Sequence, residues 1–464
     1  MSVRRPFTHD LFVPDAPVIN AIAIGPLPAQ TIPVSSPMCE CLTWLDRDSQ
    51  GKHLWRALTA LPLANSNLHC CVRGVIMDHD TANGAALLAA ARDFQPRIIA
   101  QRDAIETSRR LPEDLARDLA RAGFFRISLP AAYGGLDLTP MDGVAVFEEL
   151  AKADASVGWC VWNGNSHWTA AQLSPEAAHA IHDDPDVITA NSTRPSGQAY
   201  VIDGGFRLSG RWSLVSGCEL ATWMVLWSVI HEEGKPRTTS AGGPEIRFML
   251  VPASQCEIID TWTVGGLRGT GSHDVVVHDV FVPNAFASGF FDTYILPETR
   301  YRIPPFCRVI PGLGAMALGV ARTAIETLKE IAGAKTPVRT TQMLRDTVDA
   351  QARVSQAEAL VRSARLFLFD SLTQLWTKLL ATGEVTLDAR ALTRLAASHA
   401  VSSAVQAVDL MYVAGGASSV YVSCPLERAF RDVHVMTQHI GAHPRVLHST
   451  GRVLFGLDSD TPLL

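Results

Sequence analysis

The spacing of the apolar residues changes twice along the chain, and that change limits the fold more than any other feature. Phe206, Leu208, Gly210, Trp212 and Leu214 alternate with Arg207, Ser209, Arg211 and Ser213. A period of two puts one set on each face of a strand. Before this region the spacing is three or four. Leu87, Leu88, Ala91, Phe94, Ile98, Ile99 and Ile105 share one face of a helix over 85–109. After it the helical spacing returns and holds almost to the end. Helices, then strands, then helices define an α+β chain.

The helical front continues with Pro112, which opens a second helix that Gly123 ends, and with a third over 141–151. Further strands fall at 222–230, 246–251, 257–264 and 275–282, with 231–245 an exposed loop. They suit a small, mostly antiparallel barrel or sandwich. Helices at 312–331, 341–379, 387–413 and 425–446 carry many alanines, and close packing of such helices gives a four-helix bundle. The expected domains are 77–189, 190–285 and 300–464. Residues 1–76 show no sustained period and hold many prolines, so they read as a poorly ordered extension, with Met77 a candidate natural start.

Composition excludes several functions. The net charge is -6, which gives no basic field for nucleic acid or an anionic membrane surface. No apolar run is long enough to span a bilayer. Nine cysteines, an odd number with irregular spacing, suit a reduced cytoplasmic protein. Cys39-x-Cys41 and His69-Cys70-Cys71 lack the gaps of a structural zinc site. His434, His439 and His443 do not all share one helix face, and no carboxylate joins them, so no metal is expected.

Three stretches carry candidate chemistry. Gly265-Gly266-Leu267-Arg268-Gly269-Thr270-Gly271-Ser272 sets four glycines around one arginine and two hydroxyls, just before the strand that ends at Pro283. Glycines let a backbone approach a ligand, and arginine offers a fork for phosphate or carboxylate. A tight turn with a surface arginine fits the same residues. Trp159, Trp162 and Trp168 surround Asn163 and His167, which suits a flat ligand and equally suits an ordinary core. Gly210 to Gly217, GRWSLVSG, ends in a serine and glycine that read either as a plain turn or as hydrogen-bonding groups for a ring edge.

These stretches, followed by Arg431-Asp432 and His439, resemble the acyl-CoA dehydrogenase superfamily from about Met77 to the C-terminus. More narrowly they resemble its flavin-dependent monooxygenase branch, the oxygenase components of two-component systems. The resemblance implies an N-terminal helical domain, a middle β domain and a C-terminal four-helix bundle. It implies that Trp212, Ser213, Ser216 and Gly217 hold the flavin ring. Thr270, Ser272, Arg268 and Arg339 would serve the cofactor, the arginines at its phosphate, and Gly415-Gly416 would approach its nucleotide end. Trp159, Trp162, Asn163 and His167 would form the substrate pocket, with His439, Ser216 and His167 catalytic. His439 is also a candidate base for a phenol-like substrate.

The same resemblance implies FMN or FAD, reduced by a separate flavin reductase, and oxygen activation through a flavin hydroperoxide in a dry pocket. It also implies a homotetramer and a small, aromatic substrate. Dehydrogenation needs a carboxylate base. No Tyr-Glu-Gly-Thr segment follows the last long helix, and Val320-Ala321-Arg322 holds no acid where the family's other base would lie. An acyl-CoA dehydrogenase and a catalytically idle flavoprotein of the same fold are the alternatives.

Overall fold

A computed structural model describes residues 79–464, apart from 240–241, 290–291 and 462–463. The expectations for residues 1–76, and for Met77 as a start, lie outside the described residues.

The helical front holds α1 (His79–Ser108), α2 (Glu113–Arg121), α3 (Pro140–Ala153), α4 (Ala155–Gly164) and α5 (Pro175–His182). Two starts follow local chemistry. The Thr139 side chain caps α3 before Pro140, and Ser174 caps α5 before Pro175. Asp154 caps α4, accepting hydrogen bonds from the amides of Ser156 (2.9 Å) and Val157 (3.1 Å).

The strands follow: β1 (Thr189–Ile202), β2 (Gly205–Val215), β3 (Trp223–Glu232), β4 (Lys235–Pro236), β5 (Ile246–Pro252), β6 (Glu257–Ile259), β7 (His273–Pro283) and β8 (Ala287–Gly289). They form one sheet in the order β6-β7-β2-β1-β3-β5-β8, with β4 on β3. Among the described residues, only the β1–β3 pairing is parallel. β1 carries no strand signal strong enough to read from sequence, because its register shifts between Ser192 and Gly197, around Pro195.

The C-terminal helices are α6 (Pro305–Ala334), α7 (Val348–Thr382), α8 (Leu387–Gly415), α9 (Pro425–Met436) and α10 (Arg445–Leu454). The single helix expected over 425–446 is two, broken between Met436 and Arg445. Helices from both ends of the chain share one core, which runs from Leu87 and Ile98 to Leu318, Val408 and Met436. The sheet keeps a second core around Leu208, Trp212, Leu226 and Met249. α6 is the one described helix long and apolar enough to cross a membrane, and 78% of its apolar window is buried inside the fold. That burial marks it as a core helix of the bundle.

Candidate active site

A cavity of about 600 Å³ opens between α4, the sheet and the break between α9 and α10. Its walls are largely aromatic and aliphatic, and among the described residues no aspartate or glutamate lines it. Glu326, the nearest candidate base in the sequence, instead pairs with Arg322 (3.6 Å) and Lys329 (2.8 Å) at the surface.

Trp159, Trp162 and Asn163 reach the cavity from one face of α4. Trp162 is fixed by donating to the Val309 carbonyl on α6 at 2.8 Å. Gly312 makes room for it, since a Cβ there would stand 2.5 Å from Trp162 Cδ1. Asn163 Nδ2 donates to the Ser216 carbonyl (2.9 Å), and its own carbonyl groups accept from Asn191 Nδ2.

Ser216, Ser272 and Thr270 line the cavity as one hydroxyl chain. Thr270 Oγ1 donates to the Leu267 carbonyl at 2.9 Å. Thr270 must then accept from Ser272 (2.7 Å), and Ser272 from Ser216 (2.7 Å). Trp159 Nε1 donates into the free end, at Ser216 Oγ, over 3.0 Å. Every proton in the chain has a fixed direction. All three hydroxyl residues are buried, so an unpaired member would cost on the order of 1–3 kcal/mol.

The glycine-rich loop is held from α9. Leu267 has φ 51°, a left-handed conformation that costs a non-glycine residue about 1–2 kcal/mol. Its amide donates to Asp432 Oδ1 at 2.6 Å, a charge-assisted bond that offsets the strain. Gly266 permits the approach, because a Cβ there would stand 2.4 Å from the Arg431 carbonyl. Burial, and then the nearby Asp154 carboxyl, push the Asp432 carboxyl up to about 7.

His439 stands in the break after α9, with its ring against the edges of Trp159 and Trp162 at 5.8 and 5.4 Å. Its Nδ1 accepts the Gly441 amide at 3.0 Å. The neutral ring therefore carries its proton on Nε2. Burial, with Arg394 adding to it, pulls its pKa down to about 4. At neutral pH His439 is an uncharged donor.

Several residues expected at the site are elsewhere. His167 is 1% exposed and does not line the cavity. Its Nδ1 meets His182 Nδ1 at 3.2 Å, and burial drives its pKa well below the ordinary value. Trp212 is fully buried in the sheet core, donating to the Trp227 carbonyl at 2.6 Å, so no ring can stack on it. Ser213 and Gly217 contribute backbone: the Ser213 carbonyl accepts from Ser192 Oγ (2.9 Å), and the Gly217 amide donates to the Thr270 carbonyl (2.8 Å). Arg268 turns away towards Glu106 on α1, at 3.7 Å. Arg339 is exposed after α6 and is not at the cavity. Gly415 and Gly416 end α8, where Lys335 Nζ donates to the Gly415 carbonyl (2.7 Å).

Other lining residues carried no signal in the sequence. Leu214 was expected to point inward with Trp212. A register shift between Trp212 and Val215 gives it φ 61° and leaves it 48% exposed, in the cavity wall. Asn191 and Arg194 come from the unread strand β1. Trp227, Phe306 and His443 also line the cavity. Only the strand register of Trp227 could have been read in advance.

The family pattern of the acyl-CoA dehydrogenase N-terminal domain matches residues 81–175, and that of the acyl-CoA dehydrogenase C-terminal domain matches 311–444. The chain is 30% identical to an indole-3-acetate monooxygenase of Pseudomonas putida, over 80% of this chain and 95% of that protein. It is 30% identical to the oxygenase component of an FADH(2)-dependent resorcinol hydroxylase from Rhizobium, over 76% of this chain and 90% of that one. The crystal structure of 3-HSA hydroxylase from Rhodococcus superposes with a TM-score of 0.74 at 27% identity, covering 83% of this chain and all of that one.

The chain belongs to the acyl-CoA dehydrogenase family, in its branch of flavin-dependent monooxygenases. It is a flavin-dependent oxidoreductase, the oxygenase component of a two-component system, and takes its reduced flavin from a separate reductase.

Proposed function

We propose that the 600 Å³ cavity holds both the ring of reduced FMN or FAD and a small aromatic substrate. The observation that carries this is the donor set. Flat indole walls stand beside an ordered hydroxyl chain and a neutral histidine, and no carboxylate among the described residues lines the cavity. Such walls suit two flat rings, and the Nε2–H of His439 together with the accepting oxygens of the hydroxyl chain suits the polar edge of a flavin.

The bound flavin supplies the electrons that activate oxygen. The protein's part is binding and hydrogen bonding. Ser216, held by Trp159 and donating its proton to Ser272, presents an accepting oxygen whose direction is set by the whole chain. His439 presents Nε2–H towards the cavity. Acting as a base at Nε2 would first require moving that proton to Nδ1, where the Gly441 amide already donates. We therefore assign His439 as a hydrogen-bond donor to the oxygen-bearing group, in place of the phenol base expected from the sequence. Asp432 is a positioning residue, acting through Leu267 on the hydroxyl loop. On this reading 77–189, 190–285 and 300–464 are three domains that meet at the cavity.

We further propose a homotetramer assembled through the C-terminal helices. Val348 and Leu366 on α7, and Val420, Tyr421 and Val422 before α9, are all more than 60% exposed, an unusual amount of bare apolar surface. A cytoplasmic site fits the five described cysteines, all of them free thiols. Light scattering on the purified protein tests the tetramer, and a monomer would refute it.

The test of function mixes the protein anaerobically with chemically reduced FMN or FAD. ¹⁸O₂ and either indole-3-acetate or resorcinol are then added. Transfer of one ¹⁸O atom into an aromatic product is expected. Reoxidation at the free-flavin rate with both compounds, together with dye-linked oxidation of an acyl-CoA, would overturn the reading.

A further inference from the structure

Among the described residues, Arg194 is the only arginine lining the cavity, and no acidic side chain lines it. Elsewhere on the sheet arginines are matched. Arg211 pairs with Asp274 at 2.7 Å, Arg247 with Glu245 at 2.8 Å, and Arg237 with Glu245 at 2.7 Å. Among the described residues, the guanidinium of Arg194 has neither an ion pair nor a hydrogen bond.

Its place in the wall is built by the backbone. Strand β1 shifts register between Ser192 and Gly197, and the irregular segment turns Thr193, Arg194 and Pro195 together into the cavity. Ser192 ties that segment to β2. Its Oγ accepts the Arg194 amide at 3.4 Å and donates to the Ser213 carbonyl at 2.9 Å. The root of the side chain is thus anchored while the head stays exposed and unmatched. The other polar groups of the wall are amides, hydroxyls, indole N–H groups and the imidazoles of His443 and the neutral His439.

We propose that Arg194 is a specificity-determining residue that binds the carboxylate of an aromatic acid, with the ring seated among the tryptophans. This rests on the reading of the cavity as an aromatic substrate site. A guanidinium forms paired hydrogen bonds to a carboxylate, and an acid-free cavity adds no repulsion. The cavity selects an aryl acid over its uncharged analogue, because only the acid matches the single fixed charge.

The test uses full-length protein with its reduced flavin and reductase, comparing indole-3-acetate with indole-3-acetamide. Arg194→Gln should raise the KM for the acid about tenfold, the low end for a charge-assisted contact because the head is exposed, and shift the amide by less than about twofold. Arg194→Lys keeps the charge and should recover part of the loss for the acid. Added salt should weaken the acid alone in the wild-type protein. Equal effects of Arg194→Gln on acid and amide would overturn the proposal. So would loss of affinity for FMN but not for riboflavin, which would make Arg194 a contact to the flavin phosphate. If the wild-type protein turns over neither compound nor resorcinol, the reading of the cavity fails first, and the Arg194 proposal with it.

Discussion

His439 and His167 invite the same description and occupy opposite situations. Both stand close to tryptophans, His439 in space and His167 in sequence; His167 is buried and His439 half-buried, and desolvation lowers the pKa of each. His439 stands in a break between helices, and its free edge belongs to a cavity. His167 stands in a short helical turn, ring to ring with His182 at 4.8 Å, with Thr189 Oγ1 at 3.4 Å from its other nitrogen. A depressed pKa reports desolvation and does not separate the two. What separates them is the backbone. Irregular chain at His439 delivers the ring to a space that a ligand can enter. Regular packing at His167 spends both nitrogens within the protein.

That contrast orders the predictions. His439→Ala should lower the yield of oxygenated product per flavin oxidised by about a hundredfold, the cost of one donor aimed at developing charge. Product analysis by mass spectrometry reads this. Ser272→Ala cuts the hydroxyl chain in its middle and strands Ser216 and Thr270, so about a tenfold loss in the same assay is expected. His167→Ala should leave the yield within about threefold but destabilise the fold by ~2 kcal/mol, because it opens a cavity and leaves His182 unpaired. Thermal unfolding beside the product assay checks both halves. A large loss of product with unchanged stability would merge the two regions that are distinguished here.

Acidity sharpens the same comparison. His182 is pulled down to about 3 and His439 to about 4, from an ordinary value near 6.5. Each folded pKa is below the unfolded one. The stability they contribute is fully present above about pH 6.5 and is lost as pH falls towards 4 and 3. Asp432 works the other way, since its raised pKa of about 7 makes its contribution complete below the ordinary carboxylate range and lost as pH climbs to 7. The melting temperature should therefore fall between pH 6.5 and 4 in the wild-type protein. That slope should be shallower in His182→Asn. Asp432→Asn should have the smallest effect. The amide oxygen still accepts from Leu267, so product yield stays near wild type while the pH dependence between 6 and 7.5 flattens.

Much of the fold was legible because its signals are local. Apolar spacing gave the helix–strand–helix order, and Pro112 marked a helix start through its fixed φ. β1 was not legible. A register shift around Pro195 breaks its alternation, and its parallel partner β3 lies beyond β2 in sequence. The last helix was drawn too long, because Val435, Met436 and Ile440 keep a helical spacing. The imidazole of His439 accepts the Gly441 amide and stops the helix, which no spacing rule reveals.

The site was legible where a motif sits on one rigid element, as with Trp159, Trp162 and Asn163 on α4. Trp212 shows the opposite error. The alternation that placed it with Phe206 and Leu208 already put it in the core, and a stacking role contradicted that pattern. Arg268 was expected at a flavin phosphate, and its direction depends on Glu106, which is distant in sequence. Leu214 and Arg194 reach the cavity only through irregular strand geometry.

The central claim is that the cavity beside His439 is where reduced flavin meets oxygen and substrate. The most direct test is stopped-flow absorbance after mixing oxygen with the anaerobic complex of protein and reduced flavin, for wild type, His439→Ala and His167→Ala. The account predicts a long-lived phase between reduced and oxidised flavin in the wild type and in His167→Ala, strongly shortened in His439→Ala. The same trace for all three proteins, running at the rate of free flavin, would contradict it.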